Sequence, residues 1–408
     1  MMSAAATVAE IEDLVIEILL RVPTKELLRC KCVSKQWLSL ISDPHFCASH
    51  SRFQQSFNPR ITALFLDVNK HIPEFQVIPL VSSPFTSGAF VVKDYFNVRR
   101  AKILQSCNGL LLCRSSFLVH FGVNRHPYFE DFDINDRGYF YFIYNPTTRQ
   151  FKKLSLPTSV NEKLRISGNE LAGTGLLSVC LVFDPVISSH YRIIFISNLC
   201  DLKDSTTYWL EVCIYSSEFD TWTSQRASVD IEIFLDISPQ PVLGIYNYNH
   251  GVYCYGSMHW LRCDAVYSLL SFDVDTLSFN KQMHFPDDIF VRYFGESQGH
   301  LHCVTYKHGY PDLEYDVMEI AADYSEWSLT YHVNLQSIRR AYRCRGISIL
   351  SVIRDENAEE LILVISVDES PVAYHLSDGT HRRLYDSGTK LAYCNYRVYP
   401  CFQSLICV

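Results

Sequence analysis

Between Leu27 and His50 the chain gathers side chains that could do chemistry. Cys30 and Cys32 stand one residue apart, and His45, Cys47 and His50 follow in the run HFCASH. Thiolate with imidazole is the chemistry of zinc, and a close pair of thiols is also the chemistry of redox exchange. Structural zinc takes four ligands, usually delivered in pairs such as C-x2-C, and the Cys30–Cys32 spacing is too short for that knuckle. On a helix these two side chains would diverge by about 200°. His45, Cys47 and His50 form a better group, but no second pair follows them in this segment. The run HLHC (His300 to Cys303) alternates like a strand, which divides its side chains between two faces. All of these are therefore expected to be packing or surface residues, with no metal and no cofactor.

Two other uses of the segment follow from its remaining residues. Lys25, Arg29, Lys31 and Lys35 give it a basic edge, but the chain carries a net charge of −8 and no further basic arm accompanies that edge. A solvated face is expected, not a nucleic-acid site. Docking explains more. Leu14, Ile18, Leu19, Leu27, Leu28, Cys32 and Trp37 exceed what so small a unit is expected to bury within itself. An amphipathic set with a tryptophan anchor suits a protein partner.

The elements that must position these residues are helical. Leu14, Ile18, Leu19 and Val22 recur at three- and four-residue steps, making one apolar stripe. Pro23 stops that helix, and Thr24 offers a cap for the next, which carries Leu27, Leu28, Cys32 and Val33. Ser34 offers a cap for a third, carrying Trp37, Leu40 and Ile41, which ends before Pro44. Three helices are predicted. The expected division is a flexible stretch over 1–10, the helical unit over 11–52, a linker over 53–59 and a β domain over 60–408.

Beyond Arg60 the texture is β. Short runs such as RITALFLDV, GYFYFIYNP, YRIIFI, YWLEVCIYS and LILVISV are broken by turn residues, and 25 Tyr with 25 Phe suit pleated surfaces. A loose repeat is visible in FIYNPTTRQFKKLSLP, CIYSSEFDTWTSQ, LSFDVDTLSFNKQMHFP, VMEIAADYSEWSLTYHV and AYHLSDGTHRRLYDSG. Strand-like segments end in a polar turn and resume with an aromatic step, at intervals near the ~40–50 residues of a propeller blade. A β-propeller of about six blades is predicted, with seven blades or an irregular sandwich as the alternatives. RVYPCFQSLICV at the end is expected to close the ring on the first unit.

Composition narrows the setting. The 15 cysteines are scattered singly, mostly inside apolar runs, as small buried hydrophobes would be. No Asn-x-Ser/Thr acceptor occurs, and acidic residues interrupt the first apolar run, so no signal peptide is read there. No apolar segment reaches the ~18 residues that span a bilayer. A reducing compartment, cytosol or nucleus, with no membrane partner, is the expectation.

The helical segment resembles a known family. IEDLVIEILLRVPTKELLRCKCVSKQWLSLISDPHF is similar nearly end to end to the F-box of plant F-box proteins. One departure is that the family commonly has Leu-Pro before the E-D-L, where Glu10 and Ile11 stand here. The resemblance implies docking on the Skp-type adaptor of a cullin–RING ubiquitin ligase through Leu14, Ile18, Leu19, Pro23, Leu27, Leu28, Cys32, Trp37 and Ile41. ILQSCNGLLLCRS, YFIYNPTTRQFKKLSLP, LVFDPVISSHYRIIFI and VYPCFQSLI are similar to the F-box-associated region of the same proteins. That implies a propeller-like domain that recognises a target protein.

Catalysis is not expected. GNELAGTG (Gly168 to Gly175) approaches a phosphate loop, but Thr174 stands where a lysine would have to reach the phosphates. The chain is read as the non-catalytic receptor of an SCF-type ligase, its target unknown. The alternatives are a propeller enzyme or ligand-binding module with a helical appendage, and an F-box scaffold that degrades nothing. The insertions RSSFLVHFGVNRHPYFEDFDINDRG and TSVNEKLRISGNELAGTG are candidates for the target-binding face.

Overall fold

The computed structural model describes residues 12–57, 61–67, 75–80, 90–91, 101–115, 140–160, 176–198, 207–230, 251–263, 267–279, 283–307, 309, 313–321, 326–354, 360–368, 370–384 and 397–408. The expected flexible stretch over 1–10, GNELAGTG and most of both insertions lie outside these residues.

Four helices open the described chain, not three: α1 (Glu12–Leu20), α2 (Thr24–Cys30), α3 (Lys35–Ser42) and α4 (Pro44–Phe57). The run SDP both ends α3 and starts α4. Asp43 is held extended before Pro44, and its Oδ1 accepts the backbone N–H of Phe46 at 3.0 Å. Pro44, which has no N–H to satisfy, takes the first helical position. Residues 53–57, expected to be linker, are therefore the last turn of a helix. Ser34 caps α3 as predicted, accepting from the N–H of Trp37 at 3.1 Å. Thr24 does not cap α2; it is the first helical residue and is buried, with Pro23 before it.

Six sheets follow, arranged as a six-bladed propeller. Blade 1 holds β1 (Ile61–Asp67), β2 (Phe75–Pro79), β3 (Phe90–Val91) and the last strand of the chain, β25 (Arg397–Phe402). Blade 2 is β4 (Ala101–Cys107), β5 (Leu110–Ser115), β6 (Tyr141–Asn145) and β7 (Gln150–Lys153). Blade 3 is β8 (Leu176–Val182), β9 (Arg192–Asn198), β10 (Thr207–Ser216) and β11 (Thr221–Asp230). Blade 4 begins with β12 (Val252–Cys254), β13 (Ser257–Cys263) and β14 (Tyr267–Asp273), blade 5 with β17 (Ile289–Ser297) and β18 (His300–Lys307), and blade 6 with β21 (Ile347–Arg354) and β22 (Leu361–Val367). Within each blade the pairing is antiparallel, and β25 pairs with β1, so the end of the chain closes the ring as the sequence predicts.

Packing explains the texture of the sequence. Each blade is covered by neighbours on both sides, so inner and middle strands are buried on both faces and read as unbroken apolar runs. The second blade's β6 is buried throughout, while outermost β7 is mostly exposed. The apolar clusters sit between consecutive blades. Phe65, Ile103 and Tyr399 join blades 1 and 2; Leu112, Ile143 and Phe195 join 2 and 3; Leu64, Leu350 and Val364 join 6 and 1. Polar side chains add direction: Gln105 Nε2 donates to Leu181 O at 2.8 Å, and its Oε1 accepts Leu181 N–H at 2.7 Å.

Residues 403–408 leave β25 and run across the end of blade 2. The hairpin joining β4 to β5 turns at Asn108 and Gly109, with φ of 44° and 91°, the left-handed pair that such tight turns require. A Cβ at Gly109 would lie 2.6 Å from Ser404 Cβ, so only glycine lets the tail approach so closely.

Candidate docking site

The helical unit builds its own core before it offers anything outward. Val15, Leu19, Leu27, Ile41, Phe46 and Cys47 are buried together, and Leu28, Trp37 and Leu40 pack partly buried against them. The cover comes from two places that the three-helix expectation lacks. Phe46 and Cys47 belong to the fourth helix, and Leu405, 1% exposed, comes from the C-terminal tail. His50 sits on the same helix with its Nε2 2.8 Å from Val22 O, and burial lowers its pKa, so the neutral ring donates there.

The nine expected docking residues therefore separate. Leu19, Leu27 and Ile41 are 1%, 0% and 0% exposed and lie inside the unit's own core. Leu28 and Trp37 show only part of their surface. Leu14 and Ile18 are 44% and 53% exposed, four residues apart and so on one face of α1. Pro23 and Cys32 are exposed as well. Val33 and Leu38, absent from the expected set, are 64% and 47% exposed. Their exposure was hidden in the sequence because Val33 continues the apolar periodicity of α2 and looks like core.

Charges on this unit are mostly local. Arg21 pairs with Glu17 and Arg29 with Glu26, each at 2.7 Å on the surface, so Arg29 of the basic edge is engaged within its own helix. Such exposed pairs contribute little. Among the described residues no three His, Cys, Asp or Glu side chains converge as metal ligands. In HFCASH, His45 is exposed, whereas Cys47 and His50 point inward.

The unit is seated by the tail. Asn145, fully buried at the end of β6, donates from Nδ2 to Ser404 O at 3.0 Å and Ile406 O at 2.8 Å. Its Oδ1 accepts the N–H groups of Thr147 and Thr148 at 2.9 and 3.2 Å. Every hydrogen-bonding position of this amide is used. Ser404 Oγ lies 3.3 Å from Ser51 Oγ of α4, and Arg52 Nε donates to Pro185 O at 3.4 Å. The helices thus rest on the β4–β5 hairpin end of blades 2 and 3.

One serine motif escapes the sequence reading. GESQG, Gly295 to Gly299, has the G-x-S-x-G form of a hydrolase elbow. An elbow needs a strand, a sharp turn and a helix, with the serine exposed. Here β17 runs through Ser297 and a hairpin at Gln298 and Gly299 leads into another strand, β18. Ser297 is 0% exposed and its Oγ accepts the N–H of Arg354 at 2.9 Å, tying blade 5 to blade 6. Its neighbour Glu296 accepts Gly299 N–H at 2.6 Å, and burial pushes its carboxyl up to about 7. This serine is structural.

Two family matches agree with this architecture. Residues 12–49 match the F-box domain, and residues 86–347 match the family described as F-box protein At3g26010-like, beta-propeller. The chain belongs to this F-box β-propeller family. The F-box protein is 27% identical over 416 aligned residues to F-box protein At5g07610 of Arabidopsis thaliana, covering 94% of this chain and 87% of that protein. It is 24% identical to F-box protein At5g49610 of the same plant, over 80% of each. Among solved structures, the crystal structure of a nidogen/laminin complex aligns at a TM-score of 0.39 and 9% identity, covering 84% of this chain and 99% of that chain. The blade count rests on this chain's own strand pairing. No helix among the described residues is long and apolar enough to cross a membrane.

Proposed function

We propose that this F-box protein is the substrate receptor of an SCF-type ubiquitin ligase, docking on a Skp-type adaptor and holding a target protein on its propeller. The observation that carries the reading is the exposure of Leu14 and Ile18 on one face of α1, in a helical unit whose own core is already filled. Large apolar side chains kept in water at four-residue spacing are what a partner's groove would bury. Pro23, Cys32, Val33 and Leu38 are the further exposed candidates, and Leu28 and Trp37 contribute the parts of their surface left open. Leu19, Leu27 and Ile41 act indirectly, by holding the helices in place.

The target would bind at the propeller end away from the helices. Ser115 and Tyr141 bracket the first insertion, and Leu176 follows the second; Ser115 pairs with Ala101 and Leu176 with Ser197. Those ends lie a strand length, roughly 20 Å, from the hairpin on which the helices rest. In this reading the chain itself makes and breaks no covalent bond on the target. It raises the target's effective concentration near the ligase and orients it, while other subunits transfer ubiquitin. Co-purification of the full chain with a plant Skp-type adaptor tests the docking half. Capture of the wild type and loss in Ile18→Asp supports it, and failure of the wild type to bind removes it.

A further inference from the structure

The tail that seats the helices also brings Cys407 of the C-terminal segment to the same cavity as Cys47 of α4. Cys47 is 3% exposed and Cys407 is exposed. Both line a cavity of about 220 Å³ at the seam, with Lys31 on the helical side and Thr147 and Arg149 on the blade 2 side. Inside it the Cys47 S–H donates to Ile41 O at 3.4 Å.

We propose that Cys47 and Cys407 are a reversible thiol–disulfide pair, oxidised by a hydroperoxide, that cross-links the helical unit to the propeller's tail. Cys407, open to solvent, is the attacking thiolate. Its sulfur bonds to one peroxide oxygen as the O–O bond breaks; the sulfur is oxidised to sulfenic acid and the peroxide is reduced. The departing oxide takes a proton from the Cys47 thiol and leaves, as water when the oxidant is hydrogen peroxide. The Cys47 thiolate then attacks the sulfenic sulfur, forming S–S as S–O breaks, and the hydroxide leaves as water with a solvent proton. Two thiols and one hydrogen peroxide give one disulfide and two waters, and a dithiol reductant reverses the result.

Two features support the assignment of roles. The hydrogen bond from Cys47, aided by Lys31, lowers the Cys407 pKa to about 6, while the same bond and burial raise Cys47. At neutral pH that raises the thiolate fraction ~30-fold over an ordinary cysteine, and the accompanying fall in nucleophilicity takes back ~10-fold. Rate alone therefore favours Cys407 only a few-fold. Selectivity comes from having Cys47 beside it to resolve the sulfenic acid. The buried thiols of Cys107, Cys113, Cys180, Cys254, Cys303 and Cys401 are raised by desolvation and lack this reactivity. Asn145 already anchors the tail, so the disulfide would fix the helices on blade 2 covalently.

The test is independent of any adaptor. The full chain is treated with hydrogen peroxide, its remaining thiols are alkylated, and its peptides are mapped by mass. The expected product is a cross-linked peptide joining Cys47 to Cys407, two hydrogens lighter than its parts and restored by dithiothreitol. Cys407→Ser, at an exposed site, should leave Cys47 alkylatable, and Cys47→Ala should leave a trappable sulfenic acid on Cys407. Wild-type chain that keeps both thiols free, or that accumulates sulfenic or sulfinic acid on Cys407 with no link to Cys47, overturns the proposal. So does preferential cross-linking of Cys30 or Cys32.

Discussion

Asn145→Ala should loosen the helical unit without opening the propeller ring. The substitution removes four hydrogen bonds at one fully buried site: two donated to Ser404 O and Ile406 O and two accepted from Thr147 and Thr148. Buried groups left unpaired cost about 1–3 kcal/mol each, so with water reaching two of the four partners the loss is about 2–6 kcal/mol. That loss falls on the tail. When residues 403–408 lift, Leu405 leaves the core it shares with Leu19, Leu27 and Ile41. The helices should then exchange amide hydrogens faster, while the β25–β1 pairing, which ends at Phe402, keeps blade 1 protected. Leu405→Ala should cost a similar ~2–4 kcal/mol by emptying the same core. Because both act through one tail, the double variant should lose clearly less than the sum. Hydrogen exchange with mass readout on the four chains checks this. Unchanged protection of α1–α4 in Asn145→Ala, or strictly additive losses, would refute the idea that the tail holds the helices.

Two further substitutions probe the tail contact and a buried histidine. Gly109→Ala should cost about 2 kcal/mol, because φ is 91° and the new Cβ would meet Ser404 Cβ at 2.6 Å; thermal melting should show it, and Gly256→Ala, with open space around it, should cost less. His259 donates from Nε2 to Cys254 O and accepts at Nδ1 from Ser271 Oγ, and burial lowers its pKa from 6.5 to about 4. The native state then binds fewer protons than the unfolded chain between those values, so its contribution is full above 6.5 and lost as pH falls toward 4. Between pH 7 and pH 5 the loss is about 2 kcal/mol, and His259→Gln should remove that much of the slope in urea-melting experiments across this range.

Much of this architecture was legible from residue patterns. Apolar runs broken by Asn-Gly and Asn-Pro steps gave the strands and the blade-sized spacing, because blades buried on both faces demand continuous apolar sequence. RVYPCF could be assigned to ring closure because a propeller has to pair its last strand somewhere. Other features depend on contacts that no local pattern carries. Asn145 in YNPTT looks like an ordinary turn residue, and only the fold brings the carbonyls of Ser404 and Ile406 to it. Leu405 completes a core more than three hundred residues earlier in the chain, so Leu19, Leu27 and Ile41 looked like unsatisfied surface when they were packed. The fourth helix was hidden by the polar character of HSRFQQSF, in which the buried side chains among the described residues, His50 and Ser51, are polar. GESQG shows the converse: a motif with the right letters but a hairpin where a helix would be needed.

The most direct test of the receptor account is quantitative binding of the full chain to a purified Skp-type adaptor, beside Ile18→Asp and, as a control, Phe151→Asp on the outermost strand of blade 2. Ile18 is half exposed and outside the helical core, so its variant should fold normally. A lost apolar anchor with a buried charge in its place costs about 2–4 kcal/mol, roughly 30- to 1,000-fold in affinity. The account predicts that loss for Ile18→Asp and no change for Phe151→Asp. Wild-type affinity retained by Ile18→Asp, or no binding by the wild type itself, would contradict it.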